Sequence, residues 1–129
     1  IINISSMGGK ITLPLGTLYH GSKFAVEGLS EALSFELEAI GIKVKMIEPG
    51  MINTNFEDTL IQGLNIDQSM TEYGEFLQKA MKGMQQSGSN SSGPIIVADA
   101  ILYGLDEATN GIVVKNQAKT VKYILKEIT

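Results

Sequence analysis

The sequence predicts an α/β domain built on a parallel β-sheet. A largely apolar run at residues 1–5 and short segments at 42–49 and 111–114 are predicted to be strands, and longer segments with apolar residues at helical spacing separate them. Strands that alternate with helices favour a parallel sheet. Three strands are few for a chain of 129 residues. We therefore expect this chain to be part of a longer protein.

The first half of the chain contains two predicted strands joined by a loop and a long helix. In order, these elements are a strand at 1–5, a Gly-rich loop at 6–16, a helix from about Leu18 to Ile40 and a strand at 42–49. The first strand is a short, largely apolar run ended by Ser and Gly, which suits a strand buried on both faces. Gly41 is a natural stop for the helix, and Pro49-Gly50 ends the second strand.

The second half is predicted to be mostly helical. Apolar residues such as Tyr73, Leu77 and Ala80 recur at helical spacing. In order, we expect a mixed connection at 51–70 with a short helix near 54–61, a helix at 71–84, a flexible loop at 85–93, a helix at 95–108, a strand at 111–114 and a terminal helix at 117–128.

The long helix has three predicted sides. They are an apolar side (Val26, Leu29, Leu33, Leu37, Ile40), a polar side (Glu27, Glu31, Ser34, Glu38) and a side of mostly small residues (Gly21, Ala25, Gly28, Ala32, Ala39, with Phe35). We expect the apolar side to cover the sheet. The small-residue side would allow another helix to approach closely, either from a missing part of the chain or from a second subunit.

Composition and charge exclude several classes of function. The formal net charge is -4 and the ten Lys and Arg residues are scattered, which argues against nucleic-acid binding. No apolar run approaches the roughly 20 residues of a membrane span, so we expect no membrane partner. The chain has no Cys and a single His, so we expect no disulfide and no metal site. This composition fits a cytoplasmic protein.

Tyr19 and Lys23 are the first candidates for catalysis. They lie four residues apart at the start of the long helix, so their side chains emerge on the same side. A phenol is a poor acid or base at neutral pH, but a nearby ammonium and the positive end of a helix both stabilise the phenolate. A Tyr and a Lys at this spacing are by themselves a weak signal, since the pair often occurs by chance.

The context of this pair strengthens the prediction. Ser6 lies 13 residues before Tyr19, at the end of the first strand, where open parallel sheets bind ligands. The next strand ends at Pro49-Gly50 and is followed by Thr54.

Residues 1–56 resemble the short-chain dehydrogenase/reductase family. The resemblance rests on the Ser-Ser pair that ends the first strand, on Tyr-x-x-x-Lys, on "AVEGLSEAL" and on "PGMINT". It implies that residues 1–129 are the C-terminal catalytic portion of one doubly wound Rossmann-type domain whose N-terminal half is absent. A substrate lid would occupy about 54–93. The apolar residues of this region could be ordinary core, or they could line an adaptable apolar pocket, which would suit a small hydrophobic carbonyl or alcohol substrate; they are Met70, Met81, Met84, Tyr73, Phe76 and Leu77. The stretch is also similar to the hydroxysteroid-dehydrogenase-like branch, but no residue in it fixes a steroid.

The same resemblance implies roles for single residues. Ser6 would polarise the substrate oxygen, Tyr19 would exchange a proton with it, and Lys23 would bind the nicotinamide ribose and assist Tyr19. The cofactor would be NAD or NADP, and its other contacts would be Pro49, Gly50, Met51, Ile52 and Thr54. Family members also carry a Gly-rich pyrophosphate turn and a catalytic Asn that this sequence lacks. We therefore expect this segment alone to be inactive.

Several alternatives stay open. The scaffold could be a non-catalytic module that senses nicotinamide cofactor or serves in assembly, and an epimerase or dehydratase of the extended relatives would share Tyr-x-x-x-Lys. His20 could be structural or exposed, and Thr54 could cap the following helix instead of contacting cofactor. The resemblance also implies a homodimer or homotetramer formed through the helix at 18–40.

Overall fold

A computed structural model describes residues 1–64, 67, 71–88, 91–106 and 111–112. These residues form two compact units, which are described separately. The first contains residues 1–50 and the segment that begins at Ile95, and the second contains residues 51–94. The terminal helix predicted at 117–128 lies outside the described residues.

The first unit is built on a parallel sheet. Its strands, in sheet order, are β1 (Ile2–Ile4), β2 (Lys45–Ile47) and β3 (Gly111–Ile112). β1 pairs with β2 in parallel, with Ile2 opposite Lys45, and β3 pairs in parallel with the other edge of β2. Val44, Met46 and Ile47 are buried along the central strand. The prediction of an α/β domain with a parallel sheet is confirmed.

The long helix, α1, spans Thr17–Glu38 and connects β1 to β2. The helix ends close to Gly41, as predicted. Gly41 has a φ of 75°, which other residue types rarely adopt. The backbone N–H of Ile42 returns to the carbonyl of Leu37 at 3.1 Å, as in a Schellman motif. A second helix of this unit, Ile95–Asp106, precedes β3.

The predicted orientation of α1 is wrong in one respect. Leu29 and Ile40, assigned to the sheet-covering side, are 63% and 69% exposed, whereas Glu27 is 6% exposed. The side of α1 that faces inward can be partly polar because its buried polar side chains have hydrogen-bond or ion-pair partners. Asn3 donates a hydrogen bond to the hydroxyl of the fully buried Ser30 at 2.8 Å, and Lys10 forms an ion pair with Glu27.

The second unit contains two α-helices, α2 (Phe56–Gly63) and α3 (Gly74–Gly88), with a 3-10 turn at Thr71–Tyr73 before α3. α3 therefore begins later than predicted and continues four residues past Met84, into the segment expected to be a flexible loop. After the helix, the backbone of Ser92 exchanges two hydrogen bonds with Asn53 and Met51, at 2.8 and 3.0 Å. The helix Ile95–Asp106 of the first unit is α4 in chain order. None of the described helices is both long and apolar enough to cross a bilayer.

Candidate active site

Ser6 lies at the carboxyl end of β1. It caps a 3-10 turn, Met7–Gly9, and its Oγ accepts a hydrogen bond from the backbone N–H of Gly8 at 3.1 Å. The same hydroxyl lies 3.5 Å from the carbonyl oxygen of Pro49, and the backbone N–H of Met7 donates to that carbonyl at 2.9 Å. Ser6 and Pro49 therefore meet where two adjacent parallel strands end, which is where such sheets bind ligands.

Tyr19 and Lys23 occupy the first two turns of α1 and are both half-buried. The Lys23 ammonium lies 5.9 Å from the centroid of the Tyr19 ring and donates a hydrogen bond to the carbonyl oxygen of Ile4 at 3.3 Å. This contact places a positive charge beside the phenol and close to the end of β1.

Gly8 links the Ser6 loop to the tyrosine. A Cβ atom at this position would lie 2.9 Å from Tyr19 Cε1, closer than real Cβ atoms approach other groups. The loop backbone therefore packs directly on the phenol ring. The structure thus brings Ser6, Tyr19, Lys23 and Pro49 together within the first unit.

The other predicted cofactor residues are placed as follows. Gly50 is half-buried directly after Pro49 in the first unit, whereas Met51, Ile52 and Thr54 belong to the second unit. Met51 and Ile52 pair with Ser92 through the backbone. The Thr54 hydroxyl accepts a hydrogen bond from the backbone N–H of Phe56 at 3.3 Å, at the start of α2. Thr54 thus makes a capping contact, and its cofactor contact stays a prediction.

His20 is buried and contacts the loop after Ser6. Its Nδ1 lies 2.9 Å from the carbonyl oxygen of Gly8, and its Nε2 lies 2.9 Å from the backbone nitrogen of Leu13. Its ring also meets the Tyr19 ring edge-on, with 5.5 Å between centroids. Of the two readings of the sequence, structural or exposed, the structure shows the first.

Sequence reasoning missed a cluster of charged residues behind the Ser6 loop. Lys10 Nζ lies 3.1 Å from Glu27 Oε2 and 3.6 Å from Glu48 Oε1, and the two carboxylate side chains are only 8% and 11% exposed. Burial raises the pKa of the Glu48 carboxyl, and the charge of Glu27 raises it further, while Lys10 opposes the change. The pKa of Lys10 is raised, mainly by its hydrogen bond to Glu27. The available sequence signal was Glu48, an acidic residue between the buried strand β2 and Pro49.

Comparison with known proteins gives matches within one family. Residues 1–65 match the model of the short chain dehydrogenase family. An uncharacterized oxidoreductase of Schizosaccharomyces pombe is 43% identical over 102 residues, covering 79% of this chain and 42% of the relative. The 3-ketodihydrosphingosine reductase of Bacteroides thetaiotaomicron is 38% identical over 105 residues, covering 78% of this chain and 37% of that protein.

A more distant relative and a solved structure extend the comparison. The mouse (Mus musculus) 17-beta-hydroxysteroid dehydrogenase type 1 is 30% identical over 104 residues, covering 79% of this chain and 30% of the relative. The crystal structure of a short-chain dehydrogenase from Streptomyces avermitilis superimposes with a TM-score of 0.68 at 26% identity, covering 98% of this chain and 45% of that structure.

These matches agree on one family and on a Rossmann-type fold. The chain belongs to the short-chain dehydrogenase/reductase family. It spans less than half the length of the relatives it matches, 42% in the case of the yeast protein.

Proposed function

We propose that this chain is the catalytic C-terminal portion of an NAD- or NADP-dependent oxidoreductase that interconverts a carbonyl and a secondary alcohol. The observation that carries the proposal is the meeting of Ser6, Tyr19 and Lys23 at the carboxyl edge of the sheet. In this proposal residues 1–129 form one portion of a single Rossmann-fold domain, and residues 54–93 form its substrate lid.

The residues of the site have distinct tasks in the reaction. Tyr19 donates a proton to the substrate oxygen during reduction and accepts it back during oxidation. The Ser6 hydroxyl, whose own acceptor at Pro49 is 3.5 Å away, is free to turn its proton towards the same oxygen. Lys23 stabilises the phenolate form of Tyr19. The nicotinamide cofactor supplies or accepts the hydride when bound.

Lys23 also fits a cofactor contact. An ammonium has three donors, and the hydrogen bond to the carbonyl oxygen of Ile4 uses one of them, so donors are left for the ribose hydroxyls. Pro49, Gly50, Met51 and Ile52 would line the nicotinamide. Thr54 would bind its carboxamide or the nearby phosphate.

We propose a small hydrophobic substrate. Two relatives are named for a ketodihydrosphingosine and a hydroxysteroid, and both names denote largely hydrophobic compounds. The proposed lid exposes aromatic side chains, with Tyr73 58% and Phe76 42% exposed. Such side chains would suit an apolar substrate better than a charged one. The working protein would be a cytoplasmic homodimer or homotetramer.

The catalytic role of Tyr19 can be tested by Tyr19→Phe in the full-length protein. We expect turnover to fall by about 10²- to 10⁴-fold, because the proton donor is lost while the ring stays in place. Cofactor affinity, measured by fluorescence titration, should stay nearly unchanged. Tyr103→Phe is the matched control, since this tyrosine is 60% exposed on α4 and outside the site.

Two results would contradict the proposal. Turnover by Tyr19→Phe at the parent rate would exclude Tyr19 as the acid/base. If the unmodified protein bound cofactor but turned over nothing in a broad carbonyl and alcohol panel, a non-catalytic nicotinamide-sensing or assembly module would be the better description.

A further inference from the structure

We propose that His20 is a positioning residue that, through Gly8, fixes the orientation of the Ser6 hydroxyl relative to the Tyr19 phenol. This role rests on the proposed oxidoreductase function. His20 follows Tyr19 directly in α1, yet its side chain contacts the loop that comes after Ser6. It therefore connects the start of α1, which carries Tyr19, to the loop that carries Ser6.

The partners of the imidazole define its protonation pattern. The backbone N–H of Leu13 is a donor, so Nε2, 2.9 Å away, must be an unprotonated acceptor. Nδ1 then carries the proton and donates it to the carbonyl oxygen of Gly8 at 2.9 Å. Both nitrogens of a neutral ring are satisfied. Because the imidazole donates to Gly8 and accepts from Leu13, it fixes the positions of both loop residues.

Gly8 transmits this restraint to Ser6. Its carbonyl oxygen accepts from His20, and its backbone N–H donates to Ser6 Oγ at 3.1 Å. A single residue thus connects the imidazole to the hydroxyl. Movement of Gly8 would change the direction of the Ser6 hydroxyl relative to Tyr19, since the same glycine also packs on the phenol ring.

The ring of His20 is enclosed by backbone and has little freedom to move. A Cβ atom at Gly16 would lie 2.7 Å from both Cδ2 and Nε2 of His20, and one at Gly8 would lie 3.0 Å from Nδ1. The backbone N–H of His20 donates to the carbonyl oxygen of Gly16 at 2.8 Å. Next to Gly16, Leu15 has a φ of 64°, an uncommon conformation for a residue with a side chain. The loop therefore closes tightly around the imidazole.

Positioning predicts a specific kinetic signature. The hydrogen bonds of His20 go to Gly8 and Leu13 and reach Ser6 only through Gly8, so we expect substrate and cofactor affinity to change little when His20 is replaced. Without His20, the Ser6 hydroxyl should be misplaced relative to Tyr19, and even a small misplacement of reacting groups lowers the rate of the chemical step strongly. The loss should therefore appear in kcat and not in KM.

Three variants of the full-length protein test this role. His20→Phe keeps a ring and loses both hydrogen bonds, and we expect kcat to fall about tenfold or more with KM within about twofold. His20→Asn can still donate to Gly8, and it should recover part of kcat. His20→Gln places its amide near Leu13 instead, and it should recover less, because Gly8 is the link to Ser6.

Ser30→Ala is the matched control. Ser30 is also buried on α1 and accepts one hydrogen bond, from Asn3, but it lies ten residues further along the helix. Its loss should lower the melting temperature and leave kcat unchanged. Hydrogen exchange of the Leu13 amide gives a readout that is independent of activity, and it should be slow in the unmodified protein and fast in His20→Phe.

The outcomes are distinguishable. An active unmodified protein in which His20→Phe keeps its kcat, or in which Ser30→Ala loses as much kcat, overturns the positioning role alone. Fast exchange of Leu13 in the unmodified protein overturns it as well. An unmodified protein that binds cofactor but has no oxidoreductase activity overturns the proposed function, and the role of His20 in the reaction falls with it. A recovery order of Asn, then Gln, then Phe supports the proposal.

Discussion

At the scale of single residues, two adjacent glycines allow the Ser6 loop to pack closely against two different sets of side chains. A Cβ at Gly8 would lie against Tyr19 and His20, whereas a Cβ at Gly9 would lie 2.8 Å from Glu27 Cγ and 2.9 Å from Ser5 Oγ. Both residues are buried. Glycine is needed at each position for close approach of backbone to side chain.

Replacing either glycine by alanine should separate packing from catalysis. We expect Gly8→Ala to lower kcat about tenfold or more, because the added methyl group displaces the phenol ring or the loop. Gly9→Ala should destabilise the protein to a similar degree but lower kcat less, because its methyl group meets Glu27 instead of Tyr19. Steady-state kinetics and thermal denaturation on both full-length variants check this. Equal losses of kcat in the two variants would contradict a specific contact between Gly8 and Tyr19.

At the scale of elements, the loop between β1 and α1 is fastened at two points. Lys10 ties it to Glu27 on α1 and to Glu48 at the end of β2, and His20 ties it to the first turn of α1. In the described part of the chain, Lys10 is the only cation within 4.0 Å of either carboxylate. One cation thus faces two nearly buried acids. The arrangement favours a proton on Glu48.

This arrangement predicts how stability depends on pH. The pKa of Glu48 is higher in the folded protein than in the unfolded chain, because burial and then Glu27 disfavour its charge. The folded state therefore binds this proton more tightly, and stability falls as pH rises from the ordinary carboxyl range through the raised pKa. At pH values above the raised pKa, the folded protein carries the full free-energy cost of burying the charged Glu48 carboxylate.

Glu48→Gln should remove the penalty. We expect a higher melting temperature than the parent at pH 7 and little difference near pH 4, with each 1 kcal/mol corresponding to ~2–4 °C for a protein of ~150–250 residues. Calorimetry from pH 4 to pH 8 measures the difference between the two proteins. Glu36→Gln, at an exposed position of α1, is the control and should follow the parent throughout. A Glu48→Gln protein less stable than the parent at pH 7 would contradict this account.

At the scale of the whole molecule, the outward side of α1 bears on the proposed oligomer. Leu29 and Phe35 are 63% and 69% exposed there, and a Cβ at Gly21 or Gly28 would meet no described atom within 4 Å. Glycine in the middle of a helix costs about 1 kcal/mol relative to alanine. Two such glycines beside exposed apolar side chains suit close packing against another helix.

Gly28→Leu tests the proposed oligomer. Within this chain the new side chain has room, and the change should favour the helix by roughly 0.5–1 kcal/mol. In an oligomer packed through this side, it would separate the two helices. We expect light scattering to show a smaller assembly for full-length Gly28→Leu, with Gly28→Ala intermediate. An unchanged mass for Gly28→Leu would exclude this side of α1 as the contact.

The sequence by itself determined the features that depend on local chemistry. The apolar runs and the helical spacing predicted the parallel α/β fold, and Gly41 and Pro49-Gly50 predicted where α1 and β2 end. The spacing of Tyr19 and Lys23 predicted that their side chains lie on one side of α1, where Lys23 Nζ is 5.9 Å from the centroid of the Tyr19 ring. These signals are local, because each depends on backbone preference or on a fixed distance along one helix or strand.

The tertiary structure alone decided which side of α1 faces the sheet. Periodicity favoured Leu29 and Ile40, but Lys10 and Asn3 supply partners that allow Glu27 and Ser30 to be buried instead. The link from His20 through Gly8 to Ser6 was equally hidden, because it joins residues that only the folded loop brings together. Burial of a polar side chain depends on its partners, and partners distant in sequence become visible only when the chain is folded.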